Sequence, residues 1–330
     1  MTARRSPTGR SARLAAGVFV CALAAGCASF FPQTVALRDA RPADLPGRAE
    51  IAGTPFFPQE DYQCGPAALA TLLVHSGAKV TPAQLVPEVY LPERQGSLQV
   101  EMLAAARRHG RVSYVLAPQL EDLLRELASG NPVIVLQNQG LGPFEKWHYA
   151  VAFGYDLEAG ELVLRSATTE RQVLPFPVHE YVWKKSGYWA MVALPPDRIA
   201  ATAAEARWLA ALASLERTGD PRIARTGYET FLKRWPENVG GAIGLANAHY
   251  ALGELAQAEG VLRDAARREP GSVVVLNNLA QTLSDLGRND EALALIERAV
   301  AAGGPFAPAA RETRDLILSR KSSPGRPGQK

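Results

Sequence analysis

Two side chains in the first half of the chain could together cleave an amide bond. Cys64 stands in the stretch QEDYQCGPAALATLL, between a polar, acidic segment and an apolar run typical of a helix. His148 begins the stretch HYAVAFGYD, which predicts a strand entered from a loop that contains Gly142 and Pro143. A thiolate is a strong nucleophile and an imidazole is the commonest general base, so the pair could form an acyl-enzyme.

The position of Cys64 favours this chemistry. If the helix begins at the cysteine, its first backbone N–H groups and the positive end of its dipole stabilise a thiolate. Pro66 fits the first turn of such a helix, and Gly65 allows a close approach. We therefore expect the pKa of the thiol to lie below its ordinary value. The alternative is that Cys64 is a small buried hydrophobic residue with no chemical role.

The other four histidines are less suitable as a base. His75 and His109 lie at predicted helix ends, His179 falls in a segment that contains proline, and His249 lies further along in a helical region. No spacing of histidines and cysteines here is typical of a metal site. The sequence predicts neither a metal nor another cofactor.

Both helices and strands are predicted to position Cys64 and His148. Apolar spacing and glycine stops predict three helices and then a series of strands, which gives an α+β domain over residues 46–198. The predicted helices are Cys64–His75, Pro82–Val89 and Leu98–His109. The predicted strands are Ala49–Phe57, Val112–Ala117, Pro132–Gln137, His148–Tyr155, Glu161–Arg165 and Tyr188–Leu194.

The sequence segments around Cys64 and His148 resemble those of a known family. QEDYQCGPAAL followed by HYAVAFGYD resembles the papain-like cysteine peptidases that process bacteriocin leaders after a double glycine, over roughly residues 50–195. The resemblance implies that Cys64 is the nucleophile and His148 the base. It also implies an upstream glutamine whose side-chain amide contributes to the oxyanion hole. Gln59 matches by context, although it lies five residues before Cys64 and the family spacing is more often six.

The third catalytic position departs from that family. The family places an aspartate at the end of the strand after the histidine strand, and this chain has Ser166 there, in LVLRSAT. Asp156 cannot replace it, because eight residues of extended strand separate it from His148 by roughly 26 Å. A hairpin turning near residues 158–160 brings residues 166–169 opposite His148, so a hydroxyl or carbonyl there could orient the ring. Asn138, at the end of the neighbouring strand, is another candidate.

A repeat fills the second half of the chain. Gly219, Gly253 and Gly287 are 34 residues apart, and four further columns keep the same step. The pattern resembles three tetratricopeptide repeats over residues 203–305, an all-α solenoid whose concave face binds a protein partner or peptide. The alternative is that the repeats only support the first domain. Residues 306–330 are predicted to be the end of a helix and, from Ser319, a disordered basic tail.

The N-terminus predicts export. Four arginines precede the uncharged stretch Leu14–Gly26, which is typical of a signal peptide over residues 1–26. Its end, LAAGC, resembles a bacterial lipobox, so Cys27 is the expected lipidation site and residues 27–45 a tether. Without residues 1–26 the chain has 32 basic and 33 acidic residues, which gives no indication of nucleic-acid binding. The same cut removes Cys21, and lipidation of Cys27 would leave Cys64 as the single free thiol. The alternative is ordinary cleavage near the same small residues, which leaves Cys27 as a free thiol.

Two functions of different class follow. The first is a lipid-anchored peptidase of the bacterial cell envelope that faces the periplasm or the exterior, with repeats that recruit a protein partner or a peptide substrate. The second is a non-catalytic module in which the peptidase fold is a scaffold and the repeats do the binding.

Overall fold

The structure is a computed structural model that describes residues 30–59 and 63–322, and these residues form two compact units. The first unit takes residues up to 102 and residues 115–192; the second takes residues 103–114 and the chain from 193 onward. The predicted signal peptide and Cys27 lie outside the described residues. None of the described helices combines the length and apolarity needed to cross a membrane.

The non-repeat part of the chain contains six helices and nine strands among its described residues. The helices are α1 (Pro32–Asp39), α2 (Cys64–His75), α3 (Pro82–Val89), α4 (Gln99–Arg108), α5 (Leu120–Ala128) and α6 (Phe176–Lys184). The strands are β1 (Arg48–Glu50), β2 (Tyr90–Leu91), β3 (Gly96–Ser97), β4 (Val112–Val115), β5 (Val133–Asn138), β6 (Trp147–Asp156), β7 (Glu161–Ser166), β8 (Thr169–Pro175) and β9 (Ala190–Leu194). The predicted α+β fold is confirmed.

The sheet of the first unit runs in the order β9-β5-β6-β7-β8, and β1 pairs with part of β6. Each of these neighbouring pairs is antiparallel. Strand β5, with the sequence VIVLQN, is buried along its whole length, as its β-branched residues predict. Its register with β6 places Gln137 opposite His148, so the base stands at the end of the strand where the loop returns.

Helix α2 forms because an uninterrupted apolar run follows Cys64. Its residues from Gly65 to Leu73 are all buried, and the helix packs against β6. The chain leaves the helix through Gly77, whose φ of 88° favours glycine. Burial of the helix body fixes its first turn, and Cys64 is the residue that this first turn presents.

The predicted tether is partly folded. Residues 32–39 form α1, and Leu37 is buried. The carboxylate of Glu180 on α6 accepts the backbone N–H groups of Gln33 at 3.0 Å and Thr34 at 2.7 Å, which satisfies the free end of the helix. Further along, Asp44 pairs with Arg125 at 2.8 Å. The prediction of a linker over residues 27–45 is therefore wrong for the part from Pro32, because Glu180 supplies a cap that no local sequence pattern reveals.

Elements with few residues or weak periodicity differ most from the prediction. The sequence predicts a strand over Ala49–Phe57, but only Arg48–Glu50 pairs. Local patterns do not predict helix α5 or strand β8. The proline in α6 suggests a loop, but Pro177 stands in the first turn, where the missing N–H costs nothing.

The second unit contains the repeats. Its helices are α7 (Glu205–Glu216), α8 (Pro221–Arg234), α9 (Val239–Ala251), α10 (Leu255–Arg268), α11 (Val273–Asp285), α12 (Asn289–Ala302) and α13 (Ala307–Ser322). Successive helices pack in pairs, and the repeat solenoid predicted from the 34-residue period is confirmed. Small residues allow the close crossings: a methyl group on Gly244 would lie 2.2 Å from the ring of Tyr228.

The structure differs from the predicted boundary of the first domain and from the predicted C-terminal tail. Residues 103–114, predicted as part of the first domain, cluster with the repeats, because the Tyr114 ring packs against Trp208 with 5.3 Å between centroids. Strand β4 pairs with β9, whose last residues Ala193 and Leu194 belong to the same unit. The tail predicted as disordered from Ser319 is helical to Ser322, and residues 323–330 lie outside the described part. Burial of Ile317 explains this longer helix.

Candidate active site

The four residues singled out in the peptidase-like domain line one cavity. It has a volume of about 1010 Å³ and lies within the first unit. Gln59 and Cys64 contribute from either side of residues 60–62, which are not described, His148 from the start of β6, and Ser166 from the end of β7. Four separate parts of the chain therefore meet at this point.

Cys64 lies at the first position of α2, as the sequence predicts. Hydrogen bonding from the backbone N–H groups of Tyr149, Gly65 and Cys64 itself stabilises the charged form of the thiol. Burial acts in the opposite direction and is the larger effect, so the pKa of the thiol is raised from its ordinary value. The expected lowering of the thiol pKa is therefore wrong for this geometry: the helix end is favourable, but partial burial of the side chain outweighs it.

Gly65 lets another segment come close to the nucleophile. A methyl group on Gly65 would lie 2.2 Å from Ser97 Oγ and 2.6 Å from Ser97 Cβ, which no side chain could tolerate without a shift. Ser97 also accepts the Tyr149 hydroxyl on its backbone oxygen at 3.1 Å. Strand β3 is thus packed directly against the first turn of α2 and forms one wall of the cavity.

His148 is buried, with 9% of its surface exposed, and one ring nitrogen has a defined partner. Its Nε2 atom lies 3.0 Å from Ser166 Oγ, within hydrogen-bond distance. Burial, with a smaller contribution from the charge of Lys146, lowers the pKa of His148 to about 4. The ring is therefore neutral at pH 7, and Cys64 and His148 rest as a thiol and an imidazole rather than as an ion pair.

The hydroxyl of Ser166 leaves the tautomer of His148 open, whereas a carboxylate would fix it. A carboxylate accepts only, so it requires the proton on Nε2 and leaves Nδ1 as the base. A hydroxyl both donates and accepts, so either ring nitrogen can carry the proton. Ser166 can therefore orient the ring as a carboxylate would. Unlike a carboxylate, it neither fixes the tautomer nor stabilises the imidazolium.

Gln59 is held by the same hairpin tip that holds His148. Its backbone N–H donates to the carbonyl oxygen of Ala167 at 3.3 Å, one residue beyond Ser166. Ala167 has a φ of 49°, a left-handed conformation that a residue with a β-carbon rarely adopts. The last residue of β7 thus contacts the base, and the turn that follows it contacts the residue predicted to stabilise the oxyanion. Strain at such a turn is common where function requires a fixed geometry.

The two other residues considered for the third position have different tasks. Asn138 Oδ1 accepts the backbone N–H groups of Gly140 and Lys146, both at 3.0 Å, and so closes the loop between β5 and β6. Asp156 accepts the N–H groups of the turn after β6, at the far end of that strand. Of the three candidates, the structure brings only Ser166 to the ring of His148.

Sequence reasoning missed Ser97 and Tyr149, and it considered His179 only as a less suitable base. The first two shape the wall beside Cys64. His179 lies on α6, fully buried; its Nδ1 is 3.2 Å from Gln137 Nε2, and burial lowers its pKa to about 3. No local pattern points to these residues, because their roles depend on the neighbouring strands. Among the described residues, no group of three metal-binding side chains is placed to hold an ion.

Comparisons with known proteins agree with this arrangement. Residues 51–191 match the model of the Peptidase_C39 like family, and two tetratricopeptide repeat models match residues 209–273 and 253–312. Comparison with curated proteins gives no match.

Three solved structures with partial similarity illustrate the two parts. A thermophilic tetratricopeptide-repeat protein from Thermus thermophilus is 27% identical, with a TM-score of 0.32, and the match covers 34% of this chain and 65% of that one. A C39-like peptidase from Bacillus anthracis is 16% identical, with a TM-score of 0.38, and the match covers 45% and 98%. A double glycine motif protease from an AMS/PCAT transporter, solved in complex with the leader peptide, is 20% identical, with a TM-score of 0.33, and the match covers 44% and 93%.

The fold, the cavity and the family models lead to one assignment. Residues 51–191 form a domain of the Peptidase_C39 like family, and tetratricopeptide repeats follow it in the same chain.

Proposed function

We propose that the chain is a thiol-dependent peptidase in which Cys64 is the nucleophile and His148 the general base. The observation that carries this proposal is the convergence of Cys64, at the start of a buried helix, with a histidine ring oriented by Ser166 at 3.0 Å, in one cavity large enough for a peptide segment. No cofactor is required for this chemistry.

The reaction begins from the neutral pair. With Nε2–H donating to Ser166, the lone pair on Nδ1 takes the thiol proton as sulfur attacks the substrate carbonyl. The oxyanion is stabilised by the backbone N–H of Cys64 and the side-chain amide of Gln59. His148 then gives the proton to the departing amine, and the C–N bond breaks to leave a thioester. Water, deprotonated by the same ring, hydrolyses the thioester and restores the thiol.

A mechanism-based trap tests the proposal. An acyl-type electrophile carried on a peptide should label the wild-type protein at Cys64, as found by peptide mapping. His148→Ala should slow labelling strongly, and Gln59→Ala should slow turnover by about 10²–10³, the usual loss for one oxyanion donor. His109→Ala is the matched control and should change neither rate. Equal labelling of the wild type and His148→Ala, at the rate of an ordinary thiol, would contradict the catalytic pair.

A second function is favoured by a specific observation. Ser166 replaces the expected acid, and burial both raises the pKa of Cys64 and lowers that of His148 to about 4. Both effects oppose the charged pair that makes a thiol reactive. In this alternative the domain is a binding scaffold. Absence of an acyl-enzyme, combined with retained binding of a peptide in the cavity, supports the scaffold and excludes the peptidase.

We propose further that the protein is a lipoprotein of the cell envelope, attached through Cys27 after removal of a signal peptide. The sequence LAAGC supports this, and docking of α1 from Pro32 keeps the domain close to that attachment point. Cys27→Ser should move the protein from the membrane fraction to the soluble fraction. Membrane retention of this variant, with the first 26 residues removed normally, would contradict lipidation.

The repeats are proposed to recruit a protein partner or substrate. Polar side chains on three alternate helices, α7, α9 and α11, form a hydrogen-bonded ladder: Asn278 donates to Asn247 at 3.1 Å, and Asn247 donates to Glu216 at 3.5 Å. Such exposed amides are suited to the backbone of an extended peptide. Asn247→Ala with Asn278→Ala should reduce partner capture without changing the labelling of Cys64, whereas unchanged capture would contradict this role.

A further inference from the structure

Among the described residues that line the cavity around Cys64, cations outnumber carboxylates. Three cationic side chains line it, those of Arg94, Lys146 and Lys185, and Glu145 is the one carboxylate among its described lining residues. The remaining polar wall is made of neutral amides and hydroxyls, which can bind peptide groups of either polarity. A peptide that enters this cavity therefore meets more cations than carboxylates among the described lining residues.

The three cations differ in whether other groups of the protein already interact with their charge. Lys185 donates to the carbonyl oxygen of Gly140 at 2.8 Å and lies over the ring of Tyr181 at 4.4 Å. Arg94 and Lys146 are exposed and form no ion pair with any described residue. Glu145 Oε2 accepts the indole N–H of Trp147 at 3.0 Å. Arg94 and Lys146 thus line the cavity without an anionic partner among the residues that the structure describes.

Other cations of the first unit do have anionic partners. Arg171 pairs with Glu50 at 2.9 Å, and Arg125 pairs with Asp44 at 2.8 Å. Arg94 and Lys146 have no such partner within the described part of the chain, and both line the cavity. Lys146 is also close enough to His148 to lower its pKa, which puts this positive charge near the bond to be cleaved.

We propose that the cavity selects peptides that carry a carboxylate close to the scissile amide, with Arg94 and Lys146 as the groups that recognise it. Cleavage of that amide rests on the proposed function, whereas the selection rests on the charges alone. The carboxylate has two possible sources, an acidic side chain or a free C-terminus. Both present the same planar anion, which Arg94 can bind through two N–H groups and Lys146 as a point charge.

The test uses the full-length mature protein with Cys64→Ala, so that binding is measured without turnover. Four fluorescent peptides of one sequence form the probe set: glutamate or glutamine at one central position, each with a free or an amidated C-terminus. We expect a peptide with the preferred carboxylate to bind about tenfold more tightly than the doubly neutral peptide. The preference should shrink as salt rises, because exposed charges are screened. The pairwise differences among the four identify the source of the carboxylate.

Substitutions localise the effect. Arg94→Met and Lys146→Met each remove a charge and keep the apolar stem, and each should reduce the preference about threefold to fivefold, the usual range for a partly exposed pair. Lys184→Met is the matched control: Lys184 is exposed on the same helix that leads to Lys185 but does not line the cavity. It should leave the preference unchanged.

The outcomes separate this inference from the proposed function. Selection for a carboxylate that depends on Arg94 and Lys146, without any acyl-enzyme in the wild type, supports the inference and excludes the peptidase. An acyl-enzyme formed equally with the acidic and the neutral peptides supports the peptidase and overturns the inference. Equal affinity for all four peptides, or no measurable binding of any of them, also overturns it.

Discussion

The two halves of this chain use their sequences in different ways. In the repeats the same contact recurs every 34 residues, so Ala224, Ala258 and Ala292 occupy equivalent buried places. In the peptidase-like domain no contact recurs, and Cys64 and His148 are 84 residues apart in the chain yet line the same cavity. In a repeat, the same residue types recur at a fixed spacing, so the pattern can be recognised in the sequence. In a site built from distant segments, each residue occurs once and forms no such pattern.

The halves also differ in how they treat charge. On the repeats, charged side chains are paired at the surface, as where Arg288 and Arg263 both contact Glu259 at 2.7 Å. In the first unit, His148 and His179 are buried and neutral, and their pKa values lie near 4 and 3. Surface pairs contribute little each and tolerate change, whereas a buried titratable group makes the domain sensitive to pH.

The first prediction tests whether residues 46–198 keep their stability without the repeats. Truncation after Ala201 removes Trp208, the partner of Tyr114, and uncovers a tyrosine that is 2% exposed in the full chain. We expect the free energy of unfolding of the remaining domain to fall by about 3 kcal/mol, the usual cost of losing a large buried aromatic contact. Urea unfolding followed by circular dichroism measures it. An unchanged midpoint would show that residues 46–198 are self-sufficient, as the sequence predicts.

A pair of glycine substitutions sharpens the comparison. Gly65→Ala pushes a methyl group into Ser97 beside the nucleophile, so the rate of Cys64 labelling should fall by about 10²-fold, as expected for a misplacement of about 1 Å. Gly244→Ala meets the ring of Tyr228 and should reduce the free energy of unfolding by about 1–3 kcal/mol while labelling stays unchanged.

Gly260→Ala is the control for both variants. It lies within a repeat helix with no atom within 4 Å of the added methyl group, so it should stabilise the repeats by about 0.5–1 kcal/mol. If Gly65→Ala lost stability and kept full labelling, the close approach of Ser97 would be a packing feature alone.

Restoring the acid is the next test. Ser166→Asp places an anion beside Nε2 of His148, which should raise the pKa of the ring, fix the proton on Nε2 and favour the thiolate. Alkylation of Cys64 at pH 7 should accelerate about tenfold, which corresponds to about one pKa unit. Ser166→Asn has the same shape without the charge and should not accelerate it. Equal rates for the two variants would contradict the electrostatic explanation.

The last prediction concerns the dependence of stability on pH. The folded pKa values of His148 and His179 lie below the ordinary 6.5, so the unfolded chain binds more protons in mild acid, and stability falls as the pH drops from about 6.5 towards 4. The slope should be at most about 1.4 kcal/mol per pH unit for each ring. His179→Phe, which keeps an aromatic ring against Trp183, should reduce the slope. Denaturant midpoints between pH 7 and pH 4 measure it, and identical slopes would contradict a buried neutral His179.

Much of the framework could be predicted from local patterns. Helix α2 has the predicted bounds because an apolar run from Cys64 ends at a glycine stop, and α3 has them because Thr81 caps its start and Pro82 stands in its first turn. The hairpin argument also led to residues 166–169 for the partner of His148, since strand geometry fixes what lies opposite. Helix α1 could not be predicted, because its cap is Glu180, 147 residues from Gln33.

The sequence by itself determined the two kinds of architecture, the nucleophile at the head of a helix and the histidine at the head of a strand. These features depend on periodicity and on the geometry of single elements, which adjacent residues encode. Only the tertiary structure decided that Ser166 rather than Asn138 meets the ring of His148 and that the thiol and imidazole rest neutral. It also decided that Arg94 and Lys146 share their cavity. Such properties depend on burial and on neighbours from distant segments, because the ionisation of a group is set by the water and charge around it.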